Sequence, residues 1–228
     1  MNGTAPETRF ECTSCGHCCR SLMQHVYEWP DRRGPVYRLS DTAGLPLTSA
    51  ERARLLPVAS RRGLAWQMEP TDGVLDLASS RVLVVGYRAT HDTCVFFREF
   101  SPGDPSWIVG PSGAPGGVCS VYDERPLACR AFPLKPMGRE LGVCIDCPEV
   151  VDAGDTLEHT QAAYGDIVDS AHAFAREPLE TLRVIQFLAT ARRIAPLVGP
   201  SNREALETAR GWPRLDWQEF LQAEGVRA

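Results

Sequence analysis

The sequence predicts an α+β protein: an irregular cysteine-rich domain with a small antiparallel sheet, and a C-terminal helical layer packed on it. Three observations predict this. Four of nine cysteines fall between Cys12 and Cys19, and none follows Cys147. Short β-type runs separated by turn residues occupy 64–85. From Asp155 onward apolar residues recur at helical spacing. The expected organisation is a cysteine-rich domain over 1–150 and a helical extension over 151–228.

The bulk numbers fit this scheme. The chain has 228 residues, 43% hydrophobic and 23% charged, an ordinary globular balance. A net charge of -5 and a pI near 5.6 argue against a nucleic-acid-binding face. The Arg32-Arg33 and Arg61-Arg62 pairs read as solvated surface. Residues 1–10 are polar and lack the apolar core of a signal peptide. No apolar run approaches the roughly 20 residues that span a bilayer. The expectation is a cytoplasmic protein with no membrane and no nucleic-acid partner, in which thiols stay reduced. Reduced cysteines in CxxC spacing or adjacency read as metal ligands rather than disulfides.

Cys12-Thr13-Ser14-Cys15-Gly16-His17-Cys18-Cys19 opens the domain. On a helix its four cysteines would lie at about 0°, 300°, 240° and 340°, on one face. A knuckle loop opened by Gly16 would also gather them, since Gly accepts positive φ. Either geometry brings sulfurs together for a metal ion or an iron–sulfur cluster. His17 and His25 read as neighbours of the site rather than ligands. Tyr27, Trp29 and Pro30 begin a turn-rich segment, with a turn at Asp31-Arg32-Arg33-Gly34-Pro35.

Thr48-Ser49-Ala50-Glu51 has capping-box spacing and predicts a helix start. Pro57 should end or kink that helix. Residues 64–68, 74–77 and 82–85 predict strands, with a hairpin turn at Asp72-Gly73. Trp66 and Tyr87 are expected in the core. The chain then reaches Thr93-Cys94-Val95-Phe96-Phe97, and Pro102 to Gly117 reads as an irregular connector. Arg125, Arg130 and Lys135 surround Cys119 and Cys129. Cations there would favour thiolate, or the arginines would pair with Asp123 or Glu124; the sequence leaves both open. Cys144-Ile145-Asp146-Cys147 is a further CxxC, followed by Pro148.

The tail predicts helices. Asp155-Thr156-Leu157-Glu158 resembles a capping box. Leu157, Tyr164, Ile167, Val168, Ala171 and Phe174 form one stripe, which Pro178 should break. Leu179, Leu182, Ile185, Leu188 and Ala189 form a second. Ser201 to Glu204 starts a third helix, and Trp217, Phe220 and Leu221 mark a fourth. Trp212 and Trp217 read as packing anchors.

The cysteine pattern resembles the bacterial cysteine-cluster family with a zinc- or iron-chelating CxxCxxCC domain, the YkgJ-like proteins. The matching residues are Phe10, Cys12, Cys15-Gly16 and Cys18-Cys19; Cys94 with Phe96-Phe97; Cys119, Tyr122, Arg125-Pro126, Cys129-Arg130 and Phe132-Pro133; and Cys147-Pro148. They span about residues 10 to 149. Cys144 is extra to the pattern, and Glu149 stands where a Gly is usual. The resemblance implies metal ligation by Cys12, Cys15, Cys18, Cys19, Cys94, Cys119, Cys129 and Cys147, with Cys144 as an additional candidate. It names zinc or iron without choosing between them. Flagellin lysine N-methylases resemble the family in their cysteine cluster.

Adjacent Cys18 and Cys19 suit a larger cluster better than one tetrahedral zinc, which favours an iron–sulfur centre in redox or enzymatic service. The alternative is a structural zinc scaffold for a protein partner. A third reading is a protein-lysine methyltransferase-like enzyme, but Val85-Gly86-Tyr87 lacks a glycine-rich nucleotide loop. No catalytic residue and no small-molecule substrate is assigned.

Overall fold

The computed structural model describes residues 10–20, 25–28, 36–39, 44–91, 93–109, 113–137, 140–147, 149–150 and 157–225; for 25–28, 36–39 and 157–159 it describes the backbone alone. Trp29 to Pro35, Pro148, the Asp155-Thr156 start and the His25 and Tyr27 side chains lie outside the described residues. In chain order the elements are α1 (His17–Arg20), β1 (His25–Glu28), β2 (Val36–Leu39), β3 (Leu45–Thr48), α2 (Ser49–Arg61), β4 (Met68–Asp76), β5 (Arg81–Ala89), β6 (Phe97–Glu99) and β7 (Gly117–Cys119), then α3 (Leu127–Ala131), β8 (Leu134–Met137), β9 (Glu140–Cys144), α4 (Leu157–Tyr164), α5 (Asp166–Thr190), β10 (Ile194–Pro196), α6 (Asn202–Thr208), β11 (Arg214–Asp216) and α7 (Trp217–Ala223). The protein is α+β.

Capping chemistry sets several of these ends. Thr48 caps α2: its hydroxyl accepts from the Glu51 amide at 3.1 Å, and the Glu51 carboxylate accepts from the Thr48 amide at 3.0 Å. This reciprocal pair satisfies two donors that a helix start leaves open. Pro57 does not end α2, which runs on to Arg61. Leu55 and Ala59, both fully buried, bracket the proline, and Pro57 itself is exposed. The anchored turns on either side hold the helix, and water reaches the surface where proline removes a donor.

The tail shows the same override. Pro178 lies inside α5, a single 25-residue helix. The break falls instead at Gly165, between α4 and α5, where φ is +52°. Gly takes this left-handed conformation with little strain. Ser201 and Asp216 cap α6 and α7 through side-chain oxygens. The tail also contains two short strands, β10 and β11, which helical periodicity does not register.

Contacts divide the chain into two compact units, each assembled from two separated stretches: Met1–Leu45 with His91–Ala175, and Pro46–Thr90 with Arg176–Ala228. The expected boundary at 150/151 is not where this division falls. All nine cysteines belong to the first unit.

The second unit is built on a sheet of order β10-β4-β5-β11, with β3 also paired to β5. β4 and β5 form a long hairpin, and Asp72-Gly73 is a register irregularity inside β4 rather than its turn. The turn falls at 77–80, where Asp76 accepts from the amides of Ala78 and Ser79 at 3.1 and 3.2 Å. A side chain that bonds its own next residues favours a turn there. Leu64 to Gln67 is not strand. Val74, Leu83, Leu188, Ile194, Trp217, Phe220 and Leu221 form the core. Full burial of one such leucine contributes about 1.5–3 kcal/mol. Trp217 is a packing anchor, whereas Trp212 is 48% exposed.

The second unit also buries a polar cluster around Asp216. Its carboxylate accepts from Ser49 Oγ at 2.5 Å, Arg52 Nη1 at 3.0 Å, Tyr87 Oη at 2.8 Å and the Gln218 amide at 2.9 Å. Arg52 also lies 4.8 Å over the Tyr87 ring. A buried carboxylate is tolerable because its lone pairs are taken. Tyr87 is thus core, as expected, while Trp66 is half-buried.

The first unit carries two sheets. One has the order β1-β2-β9-β8, with β2 and β9 parallel. The other is the antiparallel pair β6 and β7. Its core cluster joins Ala131, Leu134, Ala163, Tyr164, Val168 and Ala171, with Phe10 packed against it.

Candidate metal centre

The N-terminal cysteines combine both geometries that the spacing allowed. Cys12 and Cys15 lie in an irregular loop, and Cys18 and Cys19 lie in the single turn α1. Gly16 joins them with φ +74°. A Cβ at Gly16 would strike the Phe97 ring and the Arg20 guanidinium. Only glycine meets both demands, the left-handed backbone and the absent side chain.

Backbone bonds then bring the distant cysteines in. The Cys94 amide donates to the Cys19 carbonyl at 2.8 Å, and the Gly117 amide to the Ser14 carbonyl at 2.9 Å. Cys119 faces Phe97 across the β6–β7 pair. Cys129 sits in α3. Cys144 ends β9, and its amide donates to the Pro133 carbonyl at 2.9 Å. The Cys147 amide turns back to the Cys144 carbonyl at 3.3 Å. Thr13, between Cys12 and Cys15, donates to the Glu149 carboxylate at 3.3 Å, which ties the first loop to the last.

The thiols consequently sense one another. Cys18 donates a hydrogen bond to Cys19; that bond, burial and the neighbouring Cys19, Cys129 and Cys12 push the Cys18 thiol well up. The same bond lowers Cys19, helped by Arg125 and Arg20. Burial, then Cys94, Cys19 and Cys119, push Cys129 well up. Burial raises Cys94 to about 12, with Cys19 and Cys119 adding to it. Burial raises Cys147 to about 11, and Cys15 and Cys12 add to it. Burial raises Cys144 to about 12, with Asp146 and Cys147 as its charged neighbours. The influences form one connected chain: Cys18, Cys19, Cys94, Cys119 and Cys129 act on one another, Cys12 acts on both Cys18 and Cys147, and Cys15 and Cys144 neighbour Cys147.

The chain matches no protein-family model, no curated protein and no solved structure.

All nine cysteines are free thiols. Among the described residues, no three His, Cys, Asp or Glu side chains are grouped tightly enough to hold a metal ion as they stand. The sulfurs are therefore electrostatic neighbours without being a preformed chelate. The donor set nevertheless suits a soft cation. Burial and neighbouring negative charge raise Cys18, Cys94, Cys129, Cys144 and Cys147, and a bound cation would offset this by pairing with thiolate charge. His17 is half-buried at the start of α1.

Arg20 escaped the sequence reading. Its guanidinium donates to Glu99 Oε1 from Nε at 3.1 Å and from Nη2 at 2.9 Å, and to the Cys15 carbonyl at 3.3 Å. It also bonds the Pro115 carbonyl and lies 4.8 Å from the Phe97 ring centre. One side chain thus fastens the cysteine knuckle to β6 and to the connector. The available signal was a cation directly after Cys18-Cys19, matching Cys129-Arg130. Glu149 was read only as a departure from a pattern, and its contact with Thr13 had no local signal.

The cations expected near Cys119 and Cys129 separate by role. Arg125 packs 3.6 Å over the Tyr122 ring and donates to the Tyr122 carbonyl at 2.7 Å, and its charge reaches Cys19 and Cys129. Arg130 is exposed. Burial lowers the Lys135 ammonium to about 8. The connector is irregular where described, with one isolated bridge between Val109 and Pro115. Among the described residues, no helix is long and apolar enough to cross a membrane.

Proposed function

We propose that the protein is a thiolate metal-binding protein of the reducing cytoplasm, holding an iron–sulfur cluster in redox or enzymatic service. What supports this reading is that Cys18, Cys19, Cys94, Cys119 and Cys129, from four separated stretches of chain, are electrostatic neighbours, with the Cys94 amide bonded to the Cys19 carbonyl. Adjacent Cys18 and Cys19 suit two irons of a polynuclear cluster better than one tetrahedral zinc. The resemblance to the CxxCxxCC family supports metal binding without choosing the metal.

An iron–sulfur cluster at this place would supply one-electron transfer. The chain's own residues prepare the ground. Arg125 and Arg20 stabilise negative charge at Cys19. Arg20 holds the knuckle against β6, so that metal arrival need not order the loop from scratch.

The second reading is a structural zinc scaffold for a protein partner, supported by the CxxC spacing of Cys12 and Cys15. One experiment separates the two. Protein purified without oxygen is analysed for iron, sulfide and zinc, with its absorption spectrum. Stoichiometric iron with broad visible sulfur-to-iron absorption supports the cluster. A colourless protein with stoichiometric zinc supports the scaffold. Protein that holds neither metal refutes both.

A further inference from the structure

We propose that Arg20 is a positioning residue for the cysteine knuckle: by the direction of its bonds rather than by its charge, its guanidinium sets where Cys15, Cys18 and Cys19 stand against β6, β7 and the connector. The inference deepens the metal-binding reading and rests on it only for what this position serves. The position itself rests on bonds and packing within the first unit.

Arg20 is joined to the knuckle through its main chain and its side chain. Its amide donates to the Gly16 carbonyl at 3.1 Å and closes the single turn of α1. Its side chain is only 18% exposed, so its donors need partners. Nε and Nη2 donate to Glu99 Oε1, Nη1 to the Cys15 carbonyl and Nη2 also to the Pro115 carbonyl. These acceptors lie in the knuckle, in β6 and at the end of the connector. A guanidinium carries its donors in one rigid plane, so holding all three acceptors fixes their mutual placement. A lysine ammonium keeps the charge on a flexible stem and lacks the fork.

The packing beside the guanidinium agrees. Arg20 lies 4.8 Å from the Phe97 ring centre, and a Cβ at either Gly16 or Gly117 would overlap that ring. Phe97 thus fills the space that two glycines leave, one in the knuckle and one in β7. Two backbone bonds complete the seat: the Gly117 amide to the Ser14 carbonyl at 2.9 Å, and the Cys94 amide to the Cys19 carbonyl at 2.8 Å. All these bonds meet the knuckle at backbone carbonyls, so they act on its cysteines by placing them. The charge of Arg20 also reaches Cys19, and Arg20→Lys separates that influence from placement.

The test uses the full chain purified without oxygen. Release of its bound metal to a chelator is timed in the wild type, Arg20→Lys, Arg20→Met and Glu99→Ala. Amide exchange at Cys94 and Gly117 and a denaturant melt are followed in the same preparations. Residues that orient metal ligands commonly change metal affinity about 10- to 100-fold when replaced. The expected result is release about tenfold faster or more in Arg20→Lys and Arg20→Met alike, with exchange protection lost at both amides. Glu99 is 54% exposed, and Glu99→Ala removes one acceptor while leaving Arg20 in place. It should speed release by a smaller factor, and it reports even where the Arg20 variants fail to fold. Wild-type release in Arg20→Lys means that charge suffices and overturns the proposal. So do faster release with both amides still protected, and unchanged release and protection in Glu99→Ala. An Arg20 with a merely structural role would lower the denaturant midpoint and leave release unchanged. A wild type without any metal refutes the thiolate-centre reading instead; amide exchange then decides the position by itself, and protection kept in Arg20→Lys overturns it.

Discussion

The unit formed by Pro46–Thr90 and Arg176–Ala228 closes around seven buried apolar residues, among them Leu83, Trp217 and Leu221. The unit formed by Met1–Leu45 and His91–Ala175 has a core cluster in which three of six members are alanines. Alanine buries little area, so it contributes little of the hydrophobic term. What the first unit gathers instead is sulfur. Its nine thiols are spread over irregular loops, α1, α3 and the ends of β7 and β9. The difference teaches that the second unit carries its stability in apolar side chains, whereas on the proposed metal-binding reading the first would take part of its stability from a ligand.

Metal removal should break this comparison open with the largest effect. Structural metal binding can contribute on the order of 10 kcal/mol to apparent folding free energy. Chelation under reducing conditions is expected to abolish amide-exchange protection in β6, β7 and α3, while β4 and β5 keep theirs. Equal loss in both units would show that the comparison is wrong.

A core truncation should act in the opposite direction. Leu221 is 2% exposed, and Leu221→Ala is expected to destabilise the second unit by about 2–5 kcal/mol. Metal content should not change. A denaturant melt and elemental analysis on the same preparation check both halves.

The Asp216 cluster predicts a smaller, pH-dependent effect. Burial, with the bond to Asp216, raises the Tyr87 phenol above its ordinary value, which is about 10. Above roughly that pH the unfolded chain releases the proton and the folded chain resists. Stability from this group is therefore complete at neutral pH and falls as pH rises past about 10. Tyr87→Phe should cost about 1 kcal/mol at pH 7, the net worth of one hydrogen bond. Melts taken from pH 7 to 11 should fall less steeply in the variant than in the wild type.

The smallest effect is expected at the surface. Arg193 and Glu224 pair at 2.6 Å, but their side chains are 41% and 32% exposed. Arg193→Ala should change stability by less than about 1 kcal/mol, and high salt should erase the difference. A larger loss would mean that the second unit leans on its surface pairs as well as on its core.

By itself the sequence determined what short-range chemistry controls. The α+β class, the capping box of Thr48 and Glu51, the Ser201 cap and the apolar stripe of α7 all involve partners within a few residues. Gly16 likewise announced the turn before α1. Tertiary structure decided the rest. Pro57 and Pro178 read as helix ends, yet α2, anchored by the buried Leu55 and Ala59, and α5 both run through them. Asp72-Gly73 reads as a hairpin, yet Asp76 caps a later turn and β4 absorbs the pair as an irregularity. The discontinuous units, the grip of Arg20 on Glu99 and the Thr13–Glu149 bond join residues tens to more than a hundred positions apart. Such contacts depend on where the chain returns, and that is settled by the summed packing of many weak terms rather than by any local pattern.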